Sequence, residues 1–215
     1  MIDLKKYTSI IWDWNGTIMD DSQLVYGIYN EECEIHGLQK LTESEYKKRF
    51  YFPVAKFYEE MGLPLHKYPA VAERFSRIYR PRWNEIKVHK QVYEYLQKFE
   101  AAKISQFVLS AYEQNELSEM VNFFNLQNYF TEIAGVSADF VAQSKIQRGL
   151  ELIKHDKIDT SKTLMIGDTA HDFEVAQALG TDACIVAWGA TSYEKLAQVC
   201  GEKIVFKSLR EAFGE

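Results

Sequence analysis

Four prolines, three cysteines and no stretch rich in glycine or serine are few breaks and few cross-links for a chain of 215 residues. Each shortage excludes something. Cys33, Cys184 and Cys200 are odd in number, far apart and in no metal-ligand spacing, so neither a disulfide framework nor a zinc site is expected. Thiols kept reduced are the plain reading. The apolar stretch near the start, Ser9 to Trp12, is too short for a secretion signal and follows Asp3. No run approaches the roughly 18 residues that a membrane helix needs, so a soluble, cytoplasmic protein without membrane contact is expected. Basic residues are also short, 25 against 31 acidic, and nowhere form a block. The resulting charge of −6 argues against nonspecific binding to nucleic acid.

What is present suffices for a sizeable core: 47% apolar residues, 14% of the chain aromatic. The length suits one large domain or a core with a modest insertion. Thr8 to Trp14 reads as a short strand that breaks at Asn15-Gly16. From about Ser22 to Glu85 only helical spacing is found. Leu24, Val25, Ile28 and Tyr29 form one stripe, Val54, Phe57, Tyr58 and Met61 a second, and Tyr68, Val71, Phe75 and Tyr79 a third.

Beyond that stretch the pattern alternates. Strands are predicted at Ile104–Leu109, Ile133–Val136, Thr163–Ile166, Ala183–Ala187 and Lys203–Phe206. Helices are predicted between them, marked by Leu117 to Phe124, by Ile146, Leu150 and Ile153, by Phe173 to Leu179 and by Tyr193 to Val199. Such alternation implies βαβ units and a parallel sheet. The expected class is α/β, a doubly wound Rossmann-like core of residues 1–19 and 88–215, interrupted by an all-helical insertion of residues 20–87.

Ligands of such sheets bind beyond the carboxyl ends of the strands. The polar residues there are Asp13, Ser110 and Asp168, with Lys145 opening a helix between the latter two and Asp172 four residues past Asp168. A helix starting there would turn both carboxylates to one side. Carboxylates converging on one crevice need a cation, and hard oxygen ligands with room for phosphate suit Mg²⁺. An aspartate beside a metal-bound phosphorus could attack it, with serine and lysine on the phosphoryl oxygens.

Asp13-Trp14-Asn15-Gly16-Thr17, Ser110, Lys145 and Gly167-Asp168-Thr169-Ala170-His171-Asp172 resemble, in order, the four motifs of the haloacid dehalogenase superfamily. The helical insertion after the first motif, "GDTAHDFEVAQALG" with "CIVAWG", and Asp20 resemble its phosphoglycolate phosphatase-like branch, in which the insertion is a cap. The resemblance implies a phosphatase acting on a small phosphorylated metabolite; monomer and homodimer both stay open. It implies Asp13 as nucleophile and metal ligand, the Asn15 backbone carbonyl, Asp168 and Asp172 as further Mg²⁺ ligands, and Thr17 seating the nucleophile loop. Trp14, Asn15, Ser110, Ala111 and Lys145 would surround the phosphate, although the Trp14 indole itself reads as packing, as does Trp188. Arg49 and Lys56, on either side of Tyr51, are candidates for substrate contact from the cap.

Asn15 departs from the pattern, because the family's phosphatases usually carry a proton-exchanging aspartate there. An amide donates a hydrogen bond but exchanges no proton at neutral pH, and loss of a general acid-base group costs on the order of 10²- to 10⁴-fold in rate. Three readings stay open. The leaving group needs little protonation, as in an acyl phosphate or pyrophosphate. Another group, His171 or a cap residue, moves the proton. Or the protein chiefly binds metal and phosphate. A phosphotransferase is a further alternative. Ile146 stands where the branch often has proline, and little shift of the helix start is expected.

Overall fold

The structure, a computed structural model, describes residues 1–137 and 144–214. The chain enters through β1 (Ser9–Trp12), crosses at β2 (Met19–Asp20) into α1 (Ser22–His36), α2 (Glu43–Arg49), α3 (Val54–Glu60) and α4 (Tyr68–Tyr79), and returns at β3 (Lys87–Val88). There follow α5 (Lys90–Ala101), β4 (Ser105–Glu113), α6 (Gln114–Phe123), β5 (Glu132–Val136), α7 (Lys145–Asp156), β6 (Thr163–Gly167), α8 (Ala170–Leu179), β7 (Asp182–Val186), α9 (Tyr193–Cys200), β8 (Val205–Phe206) and α10 (Leu209–Phe213). No described helix is long and apolar enough to cross a membrane.

Six strands form one parallel sheet in the order β5-β4-β1-β6-β7-β8. All four residues of β1 are buried, as a central strand covered on both faces requires. Alternation then divides them: Ile10 and Trp12 join a cluster with Val92, Leu96 and Phe99 of α5 and Leu117 and Val121 of α6. Ile11 joins Leu152 of α7 and Val175, Ala176 and Leu179 of α8 on the opposite face. The α/β class is therefore as expected.

Several expected boundaries move. The first strand ends two residues before Trp14. The strand predicted to stop at Leu109 runs to Glu113, with its register against β5 shifted between Leu109 and Glu113, so Ser110 lies inside the strand at the irregularity. The next helix is capped by the Glu113 carboxylate. Leu150, predicted to face inward, is 49% exposed, because α7 buries Lys145, Gly149 and Leu152 instead. The helix does begin at Lys145 despite Ile146, held by a capping box between Ser144 and Gln147.

The inserted helices have their own core, in which Tyr29, Tyr46, Phe50, Phe57 and Tyr58 meet Cys33 and Leu63. Tyr79, predicted to pack within the insertion, instead joins the cluster of the main domain. The two crossings between insertion and core pair as a short antiparallel ribbon, Met19 opposite Val88 and Asp20 opposite Lys87. Two-residue strands carry no periodic signal, and the sequence pattern misses them.

Candidate active site

Asp13 follows β1 and Asp168 follows β6, the strand beside it, so the topology brings both to one edge of the sheet. Asp172 arrives by a different route from the one its spacing suggested. It shares no helix with Asp168: α8 begins at Ala170, Thr169 is its N-cap, and Asp172 is the acidic partner in a capping box. Its Oδ2 accepts from Thr169 N (3.0 Å) and Thr169 Oγ1 (2.6 Å), which leaves Oδ1 toward the crevice. One carboxylate oxygen from each of Asp13, Asp168 and Asp172 lies within 4.8 Å of the others, and all three residues are buried.

Lys145 stands between them. Its Nζ donates to Asp13 Oδ1 at 2.5 Å and to Asp172 Oδ1 at 2.6 Å. Thr17 Oγ1 bridges the remaining pair, 3.2 Å from Asp13 Oδ2 and 3.0 Å from Asp168 Oδ1, and Asp168 Oδ2 accepts from Ala190 N at 2.8 Å. The fit around Asp168 leaves no room for side chains at Gly16 and Gly189. A Cβ on Gly16, whose φ is +74°, would stand 2.4 Å from Asp168 Oδ2, and one on Gly189 would stand 2.0 Å from it.

Three buried carboxylates around one ammonium carry an excess of two negative charges. Burial, then the Asp172 charge, push Asp13 up to about 7 against the pull of Lys145. Burial and the charges of Asp13 and Asp172 push Asp168 well above its ordinary range. Against burial, Lys145 and the Thr169 donors hold Asp172 below its ordinary value. The oxygen donors and the unbalanced charge fit a hard divalent cation, with Asp13, Asp168 and Asp172 as the side-chain ligands present.

Ser110 is 2% exposed, and its Oγ accepts from Tyr112 N at 3.1 Å, so its own proton is not taken by that bond. Trp14 offers a backbone N–H to the Asp13 carboxylate, while its indole is fully buried with Nε1 directed at Met120 Sδ, 3.2 Å away. Trp188 stacks on His89.

Asn15 is held by two residues that sequence reasoning passed over. Its Nδ2 donates to Asp21 Oδ2 at 2.7 Å and to Tyr79 Oη at 2.8 Å. Tyr79 Oη in turn donates to Asp21 Oδ2 at 2.6 Å, and Gly16 N donates to Asp21 Oδ1 at 2.8 Å. Asp21 is the N-cap of α1 yet makes no side-chain cap bond, since its carboxylate faces the loop after β1 instead. A carboxylate and a hydroxyl whose proton is already given away are both acceptors, so only the NH₂ end of the amide satisfies them. The Asn15 Oδ1 is the end left unheld by this pair. Asp20, the neighbour noted in the sequence, is exposed.

Above these residues lies a cavity of about 800 Å³, lined below by Asp13, Asn15, Ser110, Ala111, Lys145, Asp168 and Asp172 and above by rings of the inserted helices. Arg49 and Lys56 are not on its wall, which corrects the expectation that they reach into it. Lys56 pairs with Glu59 on the surface at 2.7 Å. Arg49 is exposed near the end of α2, where its carbonyl accepts from Lys195 Nζ, a contact that turns this segment toward α9. His171 does line the cavity, stacked on Phe52 and 3.1 Å from Glu174.

An acidic, lysine-bridged pocket at the carboxyl edge of a parallel sheet, under a helical cap, defines a capped α/β enzyme. Residues 10–186 match the haloacid dehalogenase-like hydrolases, and the chain belongs to that family. It is similar to a phosphoglycolate phosphatase of Synechococcus elongatus, 20% identical with 89% of each chain covered. It is also similar to the pyrophosphatase PpaX of Bacillus velezensis, 21% identical over 86% of this chain and 85% of that protein. The fold is shared with the crystal structure of a predicted phosphatase from Clostridium acetobutylicum, with a TM-score of 0.83, 19% identity and 97% of both chains covered.

Proposed function

We propose that the chain is a Mg²⁺-dependent phosphohydrolase in which Asp13 takes the phosphoryl group of a small phosphorylated molecule as an aspartyl phosphate. The observation that carries this reading is Lys145 donating to both Asp13 and Asp172, which sets a fixed ammonium beside the buried Asp13 carboxylate at the floor of the cavity and offsets part of the burial that favours its protonated form. The phosphatase and pyrophosphatase names of the relatives support it. Asp13, Asp168, Asp172 and the Asn15 carbonyl would hold Mg²⁺, which offsets the repulsion between the nucleophile and the phosphate.

In the first step an Asp13 carboxylate oxygen bonds to phosphorus and the bond to the leaving oxygen breaks, that oxygen keeping the electron pair. Lys145 and the Ser110 hydroxyl accompany the phosphoryl oxygens. In the second step water bonds to phosphorus, the bond to Asp13 breaks, and the carboxylate is restored as phosphate departs. Asn15 exchanges no proton in either step. Solvent water therefore protonates the leaving oxygen and accepts the proton of the attacking water. The cytoplasm, where Cys33, Cys184 and Cys200 stay thiols, is the proposed setting.

The test is phosphate release with Mg²⁺ from phosphomonoesters, acyl phosphates and pyrophosphate, beside Asp13→Asn and Asn15→Asp. Release that disappears in Asp13→Asn is the expected result, and release unchanged in that variant overturns the assignment. Asn15 also favours a second reading, a metal- and phosphate-binding protein with little turnover. No release from any substrate, with activity gained in Asn15→Asp, would select it.

A further inference from the structure

Resting on the phosphohydrolase reading above, we infer that the substrate is an aryl phosphomonoester: an uncharged aromatic body whose phenolic oxygen carries the phosphate. Three observations converge on this chemistry. The roof of the cavity is apolar and aromatic, presenting Tyr29, Phe57, Tyr58, Tyr68, Val71 and Phe75 to the space above Asp13. A cavity of about 800 Å³ accommodates a ring together with a phosphate.

Charge on the wall gives the second argument. Lys145 is the one lysine or arginine among the described residues lining the cavity, and Asp13 and Asp172 already hold it. The remaining charged side chains above the floor include Glu73, Glu113 and Glu116. A substrate with a second anionic group, such as a carboxylate or another phosphate, would meet acids there and no free cation. An uncharged leaving half meets no such penalty.

The third argument is the leaving oxygen. Both hydrogens of the Asn15 amide are taken by Asp21 and Tyr79, so this side chain supplies neither a proton nor a spare donor to the departing group. A phenol ionises near pH 10, as tyrosine does, whereas an alcohol resembles water, at about 15.7. A phenolate therefore departs without the help that an alkoxide needs. The roof and the nucleophile loop are separate parts of the chain, yet they select the same class of molecule.

The test compares four phosphates with the full-length protein and Mg²⁺: phenyl phosphate, benzyl phosphate, phosphoglycolate and pyrophosphate. Burying one ring against such a wall is worth roughly ten- to a hundredfold, so kcat/KM for phenyl phosphate should exceed that for phosphoglycolate by at least this factor. Benzyl phosphate keeps the ring but leaves as an alkoxide. It should show a similar KM and a kcat lower by roughly a hundredfold or more. Ala72→Lys, at an exposed position on the roof, should reverse the charge preference by lowering activity on phenyl phosphate and raising it on phosphoglycolate. Calorimetric binding of the four phosphates to Asp13→Asn gives a readout independent of turnover. Tightest binding of the two aromatic phosphates supports the inference even where hydrolysis is absent, and then only the phosphohydrolase reading fails. Asp13-dependent turnover that is fastest on phosphoglycolate or pyrophosphate overturns the inference and leaves that reading standing. Equal binding of all four phosphates also overturns it.

Discussion

The floor and the roof of the cavity are built from opposite chemistry. The floor is a buried cluster of carboxylates tied together by Lys145 and Thr17, each atom assigned to a partner. The roof is a set of rings that form the packed interior of the cap and one wall of the cavity together. In the proposed reading the floor fixes which bond is broken, and the roof fixes which molecule brings that bond. Between them lies the Asn15–Asp21–Tyr79 network, in which a residue of α4 holds an amide of the loop after β1.

Changes at the floor should have the largest effects. Asp13→Asn removes the proposed nucleophile, and phosphate release should fall on the order of 10⁴- to 10⁶-fold, measured by steady-state assay. Lys145→Met leaves two buried carboxylates unpaired. It should lower stability by about 3–5 kcal/mol in urea titrations without metal, with part of the loss restored by Mg²⁺ if the cation neutralises the same charges.

At the junction, Asn15→Asp alone places a second carboxylate where the amide now donates to Asp21 Oδ2 at 2.7 Å. This variant should melt at a lower temperature than the parent, and adding Asp21→Asn should restore the melting point by returning one amide to the pair. In the doubly substituted protein, turnover of benzyl phosphate should rise within the roughly 10²- to 10⁴-fold span of a general acid.

A smaller effect comes from pH. Asp13 is raised to about 7 in the folded protein from an ordinary value near 3.8, and Asp168 is raised as well, so the folded state binds more protons than the unfolded. Metal-free stability should therefore be greatest below about pH 4 as far as these groups contribute, and should fall as pH rises toward 7. Saturating Mg²⁺ should flatten that slope, which denaturant titrations across the range would read. The smallest change is expected from Lys56→Ala, outside the cavity. Its kcat/KM should stay within about twofold of the parent.

The same contrast explains what the sequence made legible. Asp13 and Asp168 follow strand ends, Lys145 and Asp172 lie in the first turns of helices, and Ser110 sits at the irregularity late in β4, so short-range spacing and the βαβ rhythm together indicate one edge of the sheet. Asp172 does lie beside Asp13 and Asp168, but a capping box rather than a shared helix face turns it inward. Asp21 and Tyr79 were invisible because their roles depend on a contact between residues 58 positions apart. Helical periodicity told only that Tyr79 is apolar-facing, not that it faces the main domain. Arg49 and Lys56 looked plausible because cations suit phosphate, but which residues of a cap reach its cavity follows from how four helices pack, and no local pattern encodes that. The ribbon at Met19–Asp20 and Lys87–Val88 is likewise a long-range pairing of strands too short to alternate.

The central claim is that Asp13 performs the displacement while Asn15 moves no proton. Rapid mixing with phenyl phosphate and Mg²⁺, quenched in acid, tests it through the phenol released and the mass of the Asp13 peptide. The account predicts a burst of phenol approaching one equivalent per chain, because water attack on the phosphoenzyme lacks a base. It also predicts a matching phosphoryl adduct on Asp13 that is absent from Asp13→Asn. Linear phenol release with no adduct, and turnover persisting in Asp13→Asn, would contradict it.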